Sequence, residues 1–222
     1  MRVNEFFDRV CYINLDKRKD RFKRMEMVLD QNDICSMRVP AIEGNKWEWK
    51  AEHYPHPLRA FDGVAGGTST QIEIIRQAQM DKRKSVLILE DDCGFIEGFP
   101  DLFDKWSEDV PDDWDLLYLG GMDGRGMHID FIEKVINYIV RVTNMNSTHA
   151  YAVNQKAYQR VIDTMYESFP YLIDSADGYL RSLQFELKAY AFNPPMIWQI
   201  DDYSDIQGGR RDYSEQMKKP LL

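Results

Sequence analysis

Three consecutive carboxylates, Glu90, Asp91 and Asp92, follow an unbroken apolar run in "SVLILEDDCGF", residues 85 to 95. Burying one unpaired carboxylate is costly, and neighbouring carboxylates also repel each other. A bound cation removes both problems. A strand that ends in Glu-x-Asp can hold Mg²⁺ or Mn²⁺ through oxygen ligands, with water and phosphate filling the remaining positions. The diphosphate of a nucleotide-sugar is a phosphate of that kind, and a cation bridging it makes the nucleoside diphosphate a better leaving group. On this reading Asp92 is the direct metal ligand. Glu90 is a ligand through water or a partner of the ribose. Asp91, between them, points away from the metal and is grouped with the nucleotide-binding candidates. The plain alternative is an acidic cap on a loop.

The flanking sequence predicts the elements that would position this cluster. "RVCYINL" (9–15) reads as a first strand. Phe22, Met25 and Leu29 at i, i+3 and i+7 predict an amphipathic helix from about Lys17 to Gln31. "ICSMRVPAI" is a second short strand. Residues 45–67, with Trp47, Trp49, His53, His56 and three glycines, read as a long irregular loop, and a loop of that length is usually functional. A helix capped by Thr68 or Ser69 would run to about Asp81. "SVLILE" is apolar throughout, as a strand buried on both faces should be. "DLLYLGG" (115–121) is another, and "THAYAV" leads to Asn154 as a helix cap. A helix from about Ser175 to Glu186, the strand "AYAFN" and an extended tail from Pro194 complete the chain. Strands alternating with helices predict an α/β fold with a mainly parallel sheet, whose ligands sit beyond the carboxyl ends of the strands. Glu90 to Asp92, Asn14 to Arg18 and Gly120-Gly121 all fall at such ends.

Composition narrows the class. The 222 residues suffice for one domain with a substantial core. A formal net charge of -9 counts against a protein that grips a nucleic-acid backbone. One local basic run stands against that total: "KRKDRFKR" (17–24) is either a solvated helix face or a site for an anion such as a diphosphate. Cys11, Cys35 and Cys93 are too far apart for a zinc motif and odd in number. No apolar run reaches the roughly 18 residues of a membrane span, and the start lacks a secretory leader, so the expected location is cytoplasmic.

The ordered landmarks also resemble a known family. "YINLDKRKDRFKRM" is similar to the opening of glycosyltransferase family 25, the lipopolysaccharide and collagen galactosyltransferase type, with its Ile-Asn-Leu-x-x-Arg-x-x-Arg core at Ile13 to Arg21. "VPAIEG" (39–44) resembles the family's Ala-Val-Asp-Gly segment, with Glu43 in place of Asp. "SVLILEDD", "THAYAVNQKAYQRVI", the "DGYL" that begins at Asp177 and "PPMIWQIDDYSDI" resemble later landmarks in the same order, from residue 12 to 206. "GGTSTQ" (66–71) departs from the family's Gly-Cys-x-x-Ser-His, with Gln71 where the family has His. Gln can hydrogen bond but cannot carry the proton charge.

The resemblance implies a GT-A-like fold, dependence on Mn²⁺ (or Mg²⁺), a UDP-sugar donor, a glycan or glycoconjugate acceptor and inversion at the anomeric carbon. Inversion needs one general base for the acceptor hydroxyl. Asp177 is the candidate, with Asp174 the alternative; its plain reading is a helix first-turn carboxylate favoured by the dipole. Asn14 would read uracil or ribose, and Arg18 and Arg21 would hold phosphate, Arg21 reading equally as a helix-surface ion-pair partner. Glu43 would accept from ribose or base, and Gly44 would let the backbone approach a ligand. Thr68, at a helix start, would donate to a sugar or phosphate. Gln199, with Asp201 as alternative, would complete the metal shell. His149 reads as a packed core residue, His53 and His56 as part of an acceptor-side flap, and Gly208 to Arg211 as a flexible basic tail by default, or as a segment able to close over the diphosphate.

Overall fold

The computed structural model describes residues 1–44, 58–123, 133–167, 175–206 and 208–221. His53, His56, their Trp-rich neighbours and Asp174 lie outside the described residues. In chain order the first elements are α1 (Val3–Phe6), β1 (Arg9–Asn14), α2 (Lys19–Gln31), β2 (Met37–Pro40), α3 (Leu58–Met80) and β3 (Ser85–Glu90). Then come β4 (Cys93–Phe95), α4 (Phe99–Trp106), β5 (Leu116–Tyr118), β6 (Met122–Asp123), β7 (Glu133–Ile136), β8 (Ile139–Arg141) and β9 (Met145–Asn146). The last third holds β10 (Ala150–Asn154), α5 (Tyr158–Glu167), α6 (Ala176–Leu183), β11 (Ala189–Phe192), β12 (Ile197–Gln199), β13 (Asp202–Tyr203), β14 (Arg210–Arg211) and α7 (Ser214–Met217).

An 8-stranded sheet in the order β2-β1-β3-β10-β5-β11-β8-β7 forms the centre. Strands β2, β1, β3, β5, β11 and β7 run in one direction, and β10 and β8 oppose them. The fold is therefore α/β, with a sheet that is mainly parallel in direction and helices on both faces. The strand period of two sorts the core. Val86 and Ile88 of β3 join Ile72 and Ile75 of α3 and Val161 of α5 on one face. Leu87 and Leu89 join Met25 and Leu29 of α2 and Phe99 and Phe103 of α4 on the other. Each such side chain, buried from both sides, contributes about 1.5–3 kcal/mol.

Two local expectations change. The stretch 58–67 is helical, so α3 begins ten residues before the expected cap, and Thr68 lies inside the helix rather than at its start. One of the glycines that made this stretch look like a loop, Gly66, serves a close crossing instead. A Cβ at Gly66 would stand 2.1 Å from the Ile42 carbonyl oxygen, and one at Gly44 would stand 1.9 Å from that of Asp62. Gly44 thus lets the chain after β2 approach the helix backbone. The second change is in the tail, which is not simply extended: β12 pairs antiparallel with β4, β13 pairs with β14, and α7 follows.

Gly120 is as tightly placed. A Cβ there would meet the Ile197 carbonyl oxygen at 1.9 Å and His149 Nε2 at 2.4 Å. His149 is fully buried, with Nε2 3.1 Å from that same carbonyl and Nδ1 2.7 Å from Ser147 Oγ. The carbonyl can only accept, so Nε2–H donates to it, and Nδ1 accepts a hydrogen bond from the serine hydroxyl. Burial pushes the His149 pKa down to about 4, and the ring is a neutral brace. Gly120→Ala has only backbone and this brace to push against. We expect it to cost about 3 kcal/mol, a fall in Tm of roughly 6–12 °C by calorimetry. A fall under about 2 °C would mean that β12 can shift freely.

Candidate active site

The carboxyl ends of β1 and β3 and the amino end of the antiparallel β10 lie at one edge of the sheet, because β10 enters where its neighbours leave. The register pairs Ala150 with Leu89, and Glu90 N–H donates to the His149 carbonyl at 2.8 Å. This edge opens into a cleft of about 870 Å³. Asn14, Arg21, Glu43, Gly44, Thr68, Glu90, Asp91, Asp92, Asp177 and Gln199 all line it. Arg18 does not; it is turned toward Asp20 and Asp205.

The three adjacent carboxylates have different surroundings. Asp91 is buried and fully engaged: Asn14 Nδ2 donates to Oδ2 at 2.6 Å and Arg21 Nη1 to Oδ1 at 2.8 Å. Its carboxylate braces β1 and α2 to the end of β3. Asp92 keeps one oxygen near the same guanidinium, with Oδ2 3.3 Å from Arg21 Nη1. Its Oδ1 is buried and has no hydrogen-bond partner among the described residues. Glu90 accepts from the Thr148 hydroxyl at 2.9 Å through Oε1, while Gln199 Nε2 stands 3.5 Å from Oε2. Burial pushes the Glu90 pKa up, and the charge of Asp92 adds to it; burial likewise raises Asp92, against the pull of Arg21.

A divalent cation fits this arrangement. Among the described residues no group of three or more His, Cys, Asp or Glu side chains is arranged to hold a metal. A phosphate-bound Mg²⁺ or Mn²⁺ needs no such cage, since one or two carboxylates suffice when phosphate and water supply the rest. The unpartnered Asp92 Oδ1, with Glu90 and the Gln199 amide beside it, is that kind of half-shell.

The arginines expected to meet phosphate instead meet carboxylates. Arg21 is buried, and each of its nitrogens is engaged: Nη1 by Asp91 and Asp92, Nε by Asp202 at 3.0 Å, and Nη2 by the Tyr203 carbonyl at 2.6 Å. Arg18 pairs with Asp20 and Asp205, and Arg24 with Asp202 and the Asp91 carbonyl. Lys17 lies 3.4 Å from Asp205. The basic run is thus an anion site whose anions are largely the protein's own C-terminal carboxylates. Asn14 is equally committed: Nδ2 serves Asp91, and Oδ1 accepts from Arg38 Nε at 3.0 Å.

Three positions keep polar groups at the cleft. Thr68 is buried, and its Oγ1 has no partner among the described residues. Its neighbours Ser69 and Thr70 donate back to the Ala65 and Gly66 carbonyls at 2.7 Å. Asp177 lies in the first turn of α6, and the Ser175 hydroxyl donates to its Oδ1. Glu43 lines the side of the cleft formed after β2. From the tail, Arg211 and Tyr213 line the cleft, while Arg210 is held outside by Asp201, Nε to Oδ1 at 2.7 Å. Thr148, Asn146, Ser147 and Asp205 are lining residues that the sequence did not single out. Thr148 directly precedes His149, but its place beside Glu90 depends on an antiparallel register that no local pattern reveals.

No family model matches the chain. It is 25% identical over 176 residues to procollagen galactosyltransferase 2 of Mus musculus, covering 70% of this chain and 27% of that protein. The Homo sapiens protein of the same name is 23% identical over 174 residues, with the same coverage. Among solved structures, a glycosyltransferase involved in the glycosylation of the major capsid of PBCV-1 overlaps 72% of this chain and 65% of its own, with a TM-score of 0.44 and 9% identity. CTP:phosphocholine cytidylyltransferase from Streptococcus pneumoniae overlaps 89% and 74%, with a TM-score of 0.41 and 9% identity. The chain spans about a quarter of the length of the curated relatives it matches, so what it shares with the two galactosyltransferases is similarity over one portion of them.

Proposed function

We propose that this chain is a metal-dependent, inverting glycosyltransferase that moves a sugar from a UDP-sugar to a hydroxyl of a glycan or glycoconjugate. The observation that carries the reading is the buried, unpartnered Oδ1 of Asp92 at the carboxyl end of β3, in a cleft shared with Glu90, Gln199 and Asp177. The similarity to procollagen galactosyltransferase 2 supports the same chemistry.

Asp92, Glu90 and Gln199 would hold the cation, which when bound would neutralise charge on a departing nucleoside diphosphate. Arg21 and Asp91 keep Asp92 in place by fixing the turn after β3. Asp177 accepts the proton of the acceptor hydroxyl as that oxygen attacks the anomeric carbon. Thr68 and Glu43 offer a hydroxyl and a carboxylate to the donor's polar groups. None of the described helices is long and apolar enough to cross a membrane.

The test is UDP release from a panel of UDP-sugars, with Mn²⁺ or with EDTA. UDP-galactose heads the panel, because the matched relatives are galactosyltransferases. Release of UDP from one sugar, abolished by EDTA, is the expected result. Calorimetry that finds no binding of UDP with Mn²⁺ would overturn the reading.

A further inference from the structure

We infer that a directed hydrogen-bond relay, Tyr151 to Gln71 to Thr148, fixes Glu90 so that Oε2 and not Oε1 is offered to the cation. This rests on the reading of the cleft as a cation and nucleoside-diphosphate site. The relay joins three elements. Tyr151 OH, from β10, donates to Gln71 Oε1 at 2.7 Å; Gln71, from α3, donates through Nε2 to Thr148 Oγ1 at 3.3 Å; and Thr148 donates to Glu90 Oε1 at 2.9 Å. Tyr151, Gln71 and Thr148 are all buried.

The direction follows from donor and acceptor inventory, starting at Glu90. In the cation-loaded site Glu90 is a carboxylate and only accepts. Thr148 has one hydroxyl proton, and that proton is given to Glu90 Oε1. Its oxygen must then accept from Gln71, which requires the NH₂ end of the amide to face it. The Gln71 carbonyl oxygen is left facing Tyr151, which has a proton to give. Every member has one arrangement, and the chain ends by occupying one Glu90 oxygen. Oε2 receives only the long 3.5 Å contact from Gln199 Nε2, at the outer limit of a hydrogen bond and readily displaced by a cation. A ligand oxygen held this way loses little freedom on binding, and partners behind ligating carboxylates typically change metal affinity by about 10–100-fold. Gln71, Thr148 and Tyr151 are positioning residues; of them Thr148 and Gln71 line the cleft.

The experiment measures Mn²⁺ affinity in the presence of UDP, by electron paramagnetic resonance, for the wild type and three variants whose fold is checked by near-ultraviolet circular dichroism. Thr148→Val keeps the shape and removes the proton donor, and is expected to weaken Mn²⁺ about tenfold. Thr148→Ser restores the donor and is expected to recover to within about threefold of the wild type. Gln71→Met leaves Thr148 in place but unaimed, and is expected to weaken Mn²⁺ about threefold to tenfold; it carries the test if Thr148→Val does not fold. Wild-type affinity in folded Thr148→Val or Gln71→Met would overturn the relay and leave the cation site standing, as would a Thr148→Ser variant as weak as the valine. A wild type that binds no Mn²⁺ with UDP would overturn the reading on which the relay rests.

Discussion

Asp92→Asn is expected to lower UDP release by about a thousandfold while leaving the metal-free protein at least as stable as the wild type. The asparagine keeps an oxygen for Arg21 and nearly the same volume, so the 3.3 Å contact to Nη1 can persist. What disappears is the charge on a buried carboxylate whose Oδ1 has no partner. Removing several kcal/mol of charge stabilisation at the leaving group, about 4 kcal/mol here, corresponds to that factor in rate. Burial disfavours the Asp92 charge more than Arg21 favours it, so a neutral amide there relieves a desolvation cost in the metal-free protein, and the Tm should hold or rise by a few degrees. Asp91→Asn, one residue earlier, should behave in the opposite sense. Its carboxylate completes a buried pair with Arg21 and accepts from Asn14 at 2.6 Å. Breaking a buried pair costs about 3–5 kcal/mol when no other charge remains. Arg21 retains Asp92 and Asp202, so about 2–3 kcal/mol is expected, a fall in Tm of roughly 4–12 °C. Differential scanning calorimetry on both variants, beside a UDP-release assay, separates the roles. If Asp92→Asn turned over donor at the wild-type rate, or lost activity only in step with its Tm, the metal role would be wrong.

This contrast between neighbours marks how far local sequence carries. The apolar run Val86 to Leu89 is enough to place β3, because a strand buried on both faces has no polar alternation to hide. It also places the acids at the carboxyl edge of the sheet. Which acid is committed to the fold depends on Asn14 and Arg21, far away in sequence. The same limit appears in α2. The period predicts a face of Phe22, Met25 and Leu29, whereas the buried set is Arg21, Met25 and Leu29, and Phe22 is partly exposed beneath the Arg38 guanidinium. An arginine reads as polar in any local pattern; here Asp91, Asp92 and Asp202 satisfy it, so it can face inward. The glycines of α3 mislead for a related reason. Gly63, Gly66 and Gly67 argue against a helix on propensity alone, but the close crossing at the Ile42 carbonyl leaves no room for a Cβ at Gly66, and Gly63 packs tightly on Ile206. Asp202 and Asp205 of the tail prove to be partners of the basic run, a pairing between the two ends of the chain, while Asp201, the alternative metal-shell residue, pairs with Arg210.

For the acceptor side, Asp177→Asn should reduce transfer by about 10²–10⁴-fold, the usual contribution of a positioned general base, with UDP and Mn²⁺ bound as tightly as by the wild type. One carboxylate at this position can do two jobs. In the first turn of α6 its charge meets the positive end of the helix dipole, a contribution of about 0.5 kcal/mol. Asn keeps the shape and the oxygen that receives the Ser175 hydroxyl proton, so the fold should lose only about 1–2 °C in Tm. What Asn cannot do is take a proton at neutral pH. A purely structural Asp177 would therefore give a small loss of stability and near-wild-type transfer, whereas a base gives the same small loss with transfer nearly abolished. Asp177→Glu keeps the carboxylate but moves it by a methylene, enough to misalign an attacking oxygen, and should fall between the two. Transfer must be measured with a true acceptor, because donor hydrolysis by water has less need of the base. If Asp177→Asn weakened UDP binding as much as it slowed transfer, Asp177 would belong to the donor pocket, and the base would have to be sought elsewhere along the cleft.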